Sequence, residues 1–174
     1  LLARTRALAL GVKSLLEAYD VPGACAAVRD YLDLLTNWYV RTSRQRFWTE
    51  DAGAFNTLWT ALEVLTRVMA PLAPLTAEEV WRGLTGGRSV HLEDWPVPLH
   101  ETADGAVVPA SDPVAAALLP DDHLVAAMEA VRDVVSTTQG IRKSRALRVR
   151  QPLRRLSVVL PDPSRLAPFA VDPG

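Results

Sequence analysis

NWYVRTSRQRFW, residues Asn37 to Trp48, sets Arg41, Arg44 and Arg46 among Trp38, Tyr39, Phe47 and Trp48, inside a longer stretch that keeps a helical apolar period. At about 100° per residue, Val28, Tyr31, Leu32, Leu35, Tyr39 and Thr42 fall on one side, and Asn37, Arg41, Arg44 and Trp48 on the other. The first side is the buried face of a helix that needs helical neighbours. The second offers guanidinium forks, an amide and an indole, with no carboxylate among them, which suits a phosphate backbone with unstacked bases. A bundle helix whose Arg stems cover apolar surface and whose Trp fills a gap accounts for the same residues. Both readings stay open on the residues alone.

Outward from this helix the same period recurs. Leu8, Val12, Leu15, Leu16 and Tyr19 predict a first helix over about Ala3 to Tyr19, broken at Asp20-Val21-Pro22-Gly23, where Pro22 opens the second. Thr49-Glu50-Asp51 offers capping oxygens for a third, with Phe55, Leu58, Leu62, Leu65 and Met69 as its stripe and Pro71 and Pro74 as its end. Thr76 and Glu79 form a T-x-x-E capping box for a fourth, with Leu75 and Val80 as its hydrophobic staple and Gly86-Gly87 closing it. SVHLEDWP (Ser89 to Pro96) reads as an extended strap held by Val90, Leu92 and Trp95. Pro120-Asp121-Asp122 opens a fifth helix, with Leu124, Met128, Val131, Val135 and Thr138 along it. LRVRQPLRRLSVVL (Leu147 to Leu160) has the β-branched residues of a strand, interrupted by Pro152. The expected fold is all-α: an antiparallel helical bundle over 1–96, a linker over 97–119, a further helix packing on the bundle over 120–146, and a strand-containing start of an incomplete C-terminal junction domain over 147–174.

The 174 residues carry a net charge of −1, 49% hydrophobic residues and a mean hydropathy of +0.08, which excludes a disordered chain. No apolar run approaches the ~20 residues of a membrane span, and the N-terminus lacks a signal-peptide pattern. The single Cys25 sits in an alanine-rich stretch, as a small buried hydrophobe would, and fits a cytoplasmic, monomeric protein without membrane contact. The charge is segregated: Glu101 to Asp133 holds seven acids and one base, Arg132, whereas Val134 to Pro161 holds Arg142, Lys143, Arg145, Arg148, Arg150, Arg154 and Arg155 and no acid. Such a block marks a polyanion partner, a solvated face or a contact to an acidic domain.

Catalytic chemistry is missing. Gly86-Gly87 lacks the glycine spacing and lysine of a phosphate-binding loop. His91, His100 and His123 are scattered without metal-ligand spacing. Glu78/Glu79 and Asp121/Asp122 are explained by helix first turns. The expected catalytic and metal residues are therefore none.

YDVPGACAAVRDYLDLLTNWYVRTSRQRFW (Tyr19 to Trp48), APLAPLTAEEVWRGL (Ala70 to Leu84), SVHLEDWP (Ser89 to Pro96) and VRQPLRRLSVV (Val149 to Val159), in this order, resemble the anticodon-binding region of the isoleucyl-tRNA synthetases, class I aminoacyl-tRNA synthetases. The first block is the most specific. The resemblance covers almost the whole chain and implies a parent enzyme that uses ATP and magnesium to activate isoleucine and esterify it to its tRNA. The HIGH and KMSKS signatures of that class are absent from these residues, so the resemblance implies a cofactor-free, non-catalytic piece. Its implied partners are tRNA(Ile) and the catalytic and C-terminal domains of the same parent. The candidate RNA-binding residues are Asn37, Arg41, Arg44 and Trp48 on the second helix and Arg142, Lys143, Arg145, Arg148 and Arg150 at the junction. A helical protein-interaction module whose arginines make ion pairs is the alternative.

Overall fold

A computed structural model describes residues 1–97, 99–101, 107–109, 112–148, 150–159 and 169. They divide into two compact units, Leu1–Pro120 and Asp121–Gly174, and the described part is predominantly helical.

In the first unit, α1 (Leu2–Glu17), α2 (Val21–Asp33), a π-helical segment (Leu34–Val40), α3 (Arg44–Trp48), α4 (Ala52–Met69) and α5 (Pro74–Thr85) follow one another. Then come a 3-10 turn (Val90–Leu92), two short strands β1 (Leu99–Glu101) and β2 (Val107–Pro109), and α6 (Pro113–Ala116). The strands pair antiparallel, Leu99 opposite Pro109, within the span expected to be a linker.

α1 packs on both α2 and α4, and α5 packs on α4. The contacts run through small residues: Ala9, Ala24 and Ala61 are fully buried beside Leu8, Val12, Val28, Tyr31, Val64, Leu65 and Val68. Alanines let helix axes approach closely, and the larger side chains then flank the contact. This corrects two expected stripes. On α4 the inward face is Ala54, Ala61, Val64, Leu65 and Val68, with Phe55 exposed and Leu58, Leu62 and Met69 at the flanks. On α1 it is Thr5, Leu8, Ala9 and Val12, and Tyr19 is 91% exposed. Cys25 is exposed as well, because Ala24 and Val28 take the inward positions of its helix.

Helix ends explain several boundaries. Asp20 caps α2 by accepting from Gly23 N–H at 2.9 Å, and a Cβ at Gly23 would lie 2.3 Å from that carboxylate, so the cap needs glycine there. α1 and α3 each close with a residue in the left-handed region, Tyr19 (φ 59°) and Glu50 (φ 53°). The next residue donates back across five positions, Asp20 N–H to Leu15 O at 2.8 Å and Asp51 N–H to Arg46 O at 3.0 Å.

α5 begins three residues before its expected start. Pro74 opens it, Ala73 makes no side-chain cap, and Leu75 is 87% exposed with Val80 exposed too, so neither the Thr76/Glu79 box nor the staple forms. Pro74 is pre-set for a first helical position, and that preference decides the register. Glu78 carries the local order instead. It accepts from Ser89 Oγ and Val90 N–H, each at 2.9 Å, and pairs with Arg82 at 2.7 Å. Partial burial raises its pKa, but these donors outweigh that and hold it below the usual value. Thr76→Ala is therefore expected to change stability by less than about 0.5 kcal/mol, as for an ordinary surface site; a loss above 1 kcal/mol in a urea melt would restore the cap.

The Ser89–Pro96 strap forms as a turn rather than an extended run: Val90 is buried with Ala70, Ala77 and Trp81, while Leu92 is exposed. Trp95 Nε1–H donates to Ala9 O at 3.0 Å, fastening the strap to α1. Beyond it, Leu118 is fully buried in the main core, and Asp112, the cap of α6, pairs with Arg67 of α4.

The second unit contains α7 (Asp122–Ser144), capped by Asp121, which accepts from Leu124 N–H at 3.0 Å. Its buried residues are Ala127 and Ala130, whereas Leu124 and Val135, placed on the expected stripe, are exposed. No strand occurs in the described part of the expected 147–160 strand, residues 147–148 and 150–159. Pro152 removes a ladder donor there, and every residue from 150 to 159 is exposed.

Candidate nucleic-acid interface

The second helix is not continuous to Trp48. Its α-helical part ends at Asp33, the π-helical segment inserts one extra residue into the winding, and the chain bends at Ser43 (φ −87°, ψ 4°) before α3. The consequence is a one-residue slip in which face points inward. Ser43 is buried and Thr42, expected on the apolar side, is exposed with its hydroxyl donating to Trp38 O at 2.7 Å. Leu34 joins Leu35 in the core for the same reason.

The four candidate residues all stay at the surface, divided between two pieces: Asn37 on the π-helical turn and Arg41 just after it, Arg44 and Trp48 on α3. The face is not free of carboxylates as expected. Asp33, one turn before Asn37, accepts from its Nδ2 at 2.6 Å and holds the amide in place. Among the described residues, Arg41 and Arg44 have neither an ion pair nor a hydrogen bond through their guanidinium groups, and Trp48 is 79% exposed.

The remaining residues of RQRFW fasten α3. Arg46 Nε donates to Asp51 at 2.9 Å, and Asp51 also caps α4 by accepting from Ala54 N–H at 3.1 Å. The Arg46 hydrogen bond holds Asp51 below the usual carboxylate range. Phe47 packs edge-on to Tyr39 and to Phe55, with ring centroids 6.4 and 5.2 Å apart, and Tyr39 OH donates to Ala54 O at 3.1 Å. Adjacent residues on this short helix thus divide the work. Arg46 and Phe47 anchor, while Arg44 and Trp48 project. The anchoring role of Arg46 was legible in sequence, since a carboxylate sits five residues on at a helix start.

At the end of α7, Lys143, Arg145, Arg148 and Arg150 are exposed, as are Arg154 and Arg155. Arg142 differs: it is partly buried, and its Nη2 donates to Arg148 O at 2.8 Å and to Gln151 O. His91 and His123 are exposed and His100 lies in β1; among the described residues no group of His, Cys, Asp and Glu is arranged to hold a metal ion. No described helix is long and apolar enough to cross a membrane.

Comparison with known proteins places this geometry. A family model described as the anticodon-binding domain of tRNA ligase matches residues 1–159. The chain is 54% identical over 159 residues to the isoleucine–tRNA ligase of Bifidobacterium longum, which covers 91% of the chain and 14% of that protein. It is 51% identical over 170 residues to the isoleucine–tRNA ligase of Nocardia farcinica and 49% identical over 170 residues to that of Mycobacterium tuberculosis, covering 97% of the chain in each case. It spans 14% and 15% of the length of those two relatives. The chain belongs to the anticodon-binding domain family of tRNA ligases.

Proposed function

We propose that this chain is the tRNA-binding module of an isoleucine–tRNA ligase. In this reading its helices form the antiparallel bundle that receives the anticodon stem-loop of tRNA(Ile), and the ATP-dependent activation and transfer of isoleucine belong to the rest of the ligase. The observation that carries it is identity of about one half to isoleucine–tRNA ligases along 97% of the chain. Supporting it, Arg41, Arg44 and Trp48 project from anchored backbone, and among the described residues the two guanidiniums have no protein partner. RNA recognition of this kind combines phosphate contacts from arginine with stacking of splayed bases on planar side chains.

The test compares binding of an isoleucine tRNA transcript with a valine tRNA transcript. Preference for the former is the expected result, and equal weak binding of both would sink the specificity. Arg41→Ala with Arg44→Ala should weaken binding and lower the salt slope by roughly 0.7 to 0.9 per lost phosphate contact while leaving the melting temperature almost unchanged. A lower melting temperature with intact affinity would return both arginines to a packing role.

A further inference from the structure

α7 closes through a left-handed residue, as α1 and α3 do. Its last turn is followed by Ala146 at φ 54°, a left-handed conformation that a side chain disfavours. Leu147 N–H donates to Arg142 O at 2.9 Å and Ala146 N–H to Lys143 O at 3.1 Å, a paired closure that turns the chain sharply back. The next turn is closed by Gln151 N–H donating to Arg148 O at 3.0 Å. The Arg142 guanidinium donates to the carbonyls at both ends of that turn, Arg148 O and Gln151 O. One residue therefore accepts through its backbone from the helix closure and donates through its side chain to the turn beyond.

The residues this bracket holds are the basic ones. Lys143, Arg145, Arg148, Arg150, Arg154 and Arg155 are exposed, and among the described residues none of them has an ion pair. Asp121 and Asp122 open a 23-residue helix ~34 Å long, and Glu129 and Asp133 lie between its start and its middle. The last of them is nine residues, or ~13 Å of helix, before Arg142, beyond the ~8 Å screening length of physiological salt. Cations at a helix C-terminus gain from the dipole, but that does not account for six of them, and so many exposed like charges in thirteen residues of chain favour an anionic partner. From Arg145 to Arg150 the chain reaches at most ~18 Å, so three guanidiniums stay within the run of a few phosphates.

We propose that the cations of 143–155 form a second RNA-phosphate site and that Arg142 is its positioning residue, fixing the turn that carries Arg148 and Arg150 just beyond Arg145 at the helix end, without itself touching RNA. This rests on the reading of the chain as a tRNA-binding module. It adds a site on the second unit, made of residues other than Asn37 to Trp48.

The experiment measures tRNA(Ile) affinity against salt in the full-length ligase that contains this chain, for wild type, Arg148→Gln/Arg150→Gln, Arg142→Met, the triple variant and Arg142→Lys. The double variant should bind about tenfold more weakly, with the salt slope reduced by about two contacts at 0.7 to 0.9 each. Arg142→Met should lose as much and the triple variant no more than the double, whereas Arg142→Lys, whose ammonium can donate to both carbonyls as the single Nη2 does, should retain part of the affinity. Wild-type affinity in the double variant would assign the basic surface to another domain of the protein and overturn the site. A slope loss of one contact in Arg142→Met, additive with the double variant, would make Arg142 a direct contact and overturn its positioning role. Lost helical signal in Arg142→Met would overturn that role also. A wild-type ligase that does not bind the tRNA would instead refute the module reading itself.

Discussion

Arg67→Ala is expected to destabilise the first unit by about 3–5 kcal/mol, because it leaves a buried carboxylate without its counter-ion. Glu63 is 1% exposed on α4 and pairs with Arg67 one turn later; Arg67 reaches on to Asp112 and lies over the Trp81 ring at 5.5 Å. The guanidinium thus joins α4 to α5 and to the cap of α6. Burial pushes the Glu63 pKa up from its ordinary 4.5, and Arg67 opposes the rise. Removing Arg67 takes the opposition away. The sign follows: a carboxyl whose folded pKa lies above its unfolded value favours the folded state only when protonated. The deficit of Arg67→Ala should therefore be largest above the folded pKa and shrink as pH falls toward 4.5. For a chain of this size the neutral-pH loss lowers the melting temperature by roughly 6 to 20 °C. Glu63→Gln combined with Arg67→Met should recover more than half of it, since the buried Glu63 is then neutral and only the less buried Asp112 loses its partner. A single-variant loss below 1 kcal/mol would show that the site admits water and that the triad is not a structural joint.

Raising the pH from 10 to 12 should remove up to ~2.7 kcal/mol of stability through Tyr31 alone, at 1.36 kcal/mol per pKa unit. Its hydroxyl is buried against Thr5 Oγ1 at 2.6 Å, and burial pushes its pKa from 10.0 up to about 12, against smaller opposing effects of the Thr5 hydrogen bond and the Arg4 charge. The folded state holds this proton more tightly than the unfolded chain does. Its contribution is complete below pH 10 and disappears as pH rises through 12. Alkaline urea melts of wild type and Tyr31→Phe isolate the effect, because every other titrating group is common to both. Parallel stability curves for the two proteins between pH 10 and 12 would show that Tyr31 ionises as freely in the fold as out of it.

The helical class, the approximate place of each long helix and the surface position of Asn37, Arg41, Arg44, Trp48 and the junction cations other than Arg142 were legible in the residues alone. Those follow from residue type and a 3.6-residue period, which act over one or two turns. Which residues of each stripe face inward depended on how the helices pack. Close packing through Ala9, Ala24 and Ala61 rotates the contact away from the largest side chains, and periodicity weights large residues most. The slip at Ser43 was illegible for a related reason: a π-helical turn has no composition of its own and persists only where the surrounding packing rewards it. The left-handed closures at Tyr19, Glu50 and Ala146 carry no glycine to announce them. The role of Arg142 depends on two carbonyls beyond the helix end, which no pattern of side chains encodes. Charge and period are local properties of the chain, whereas a hydrogen bond to a particular backbone oxygen exists only once the chain has folded back on itself.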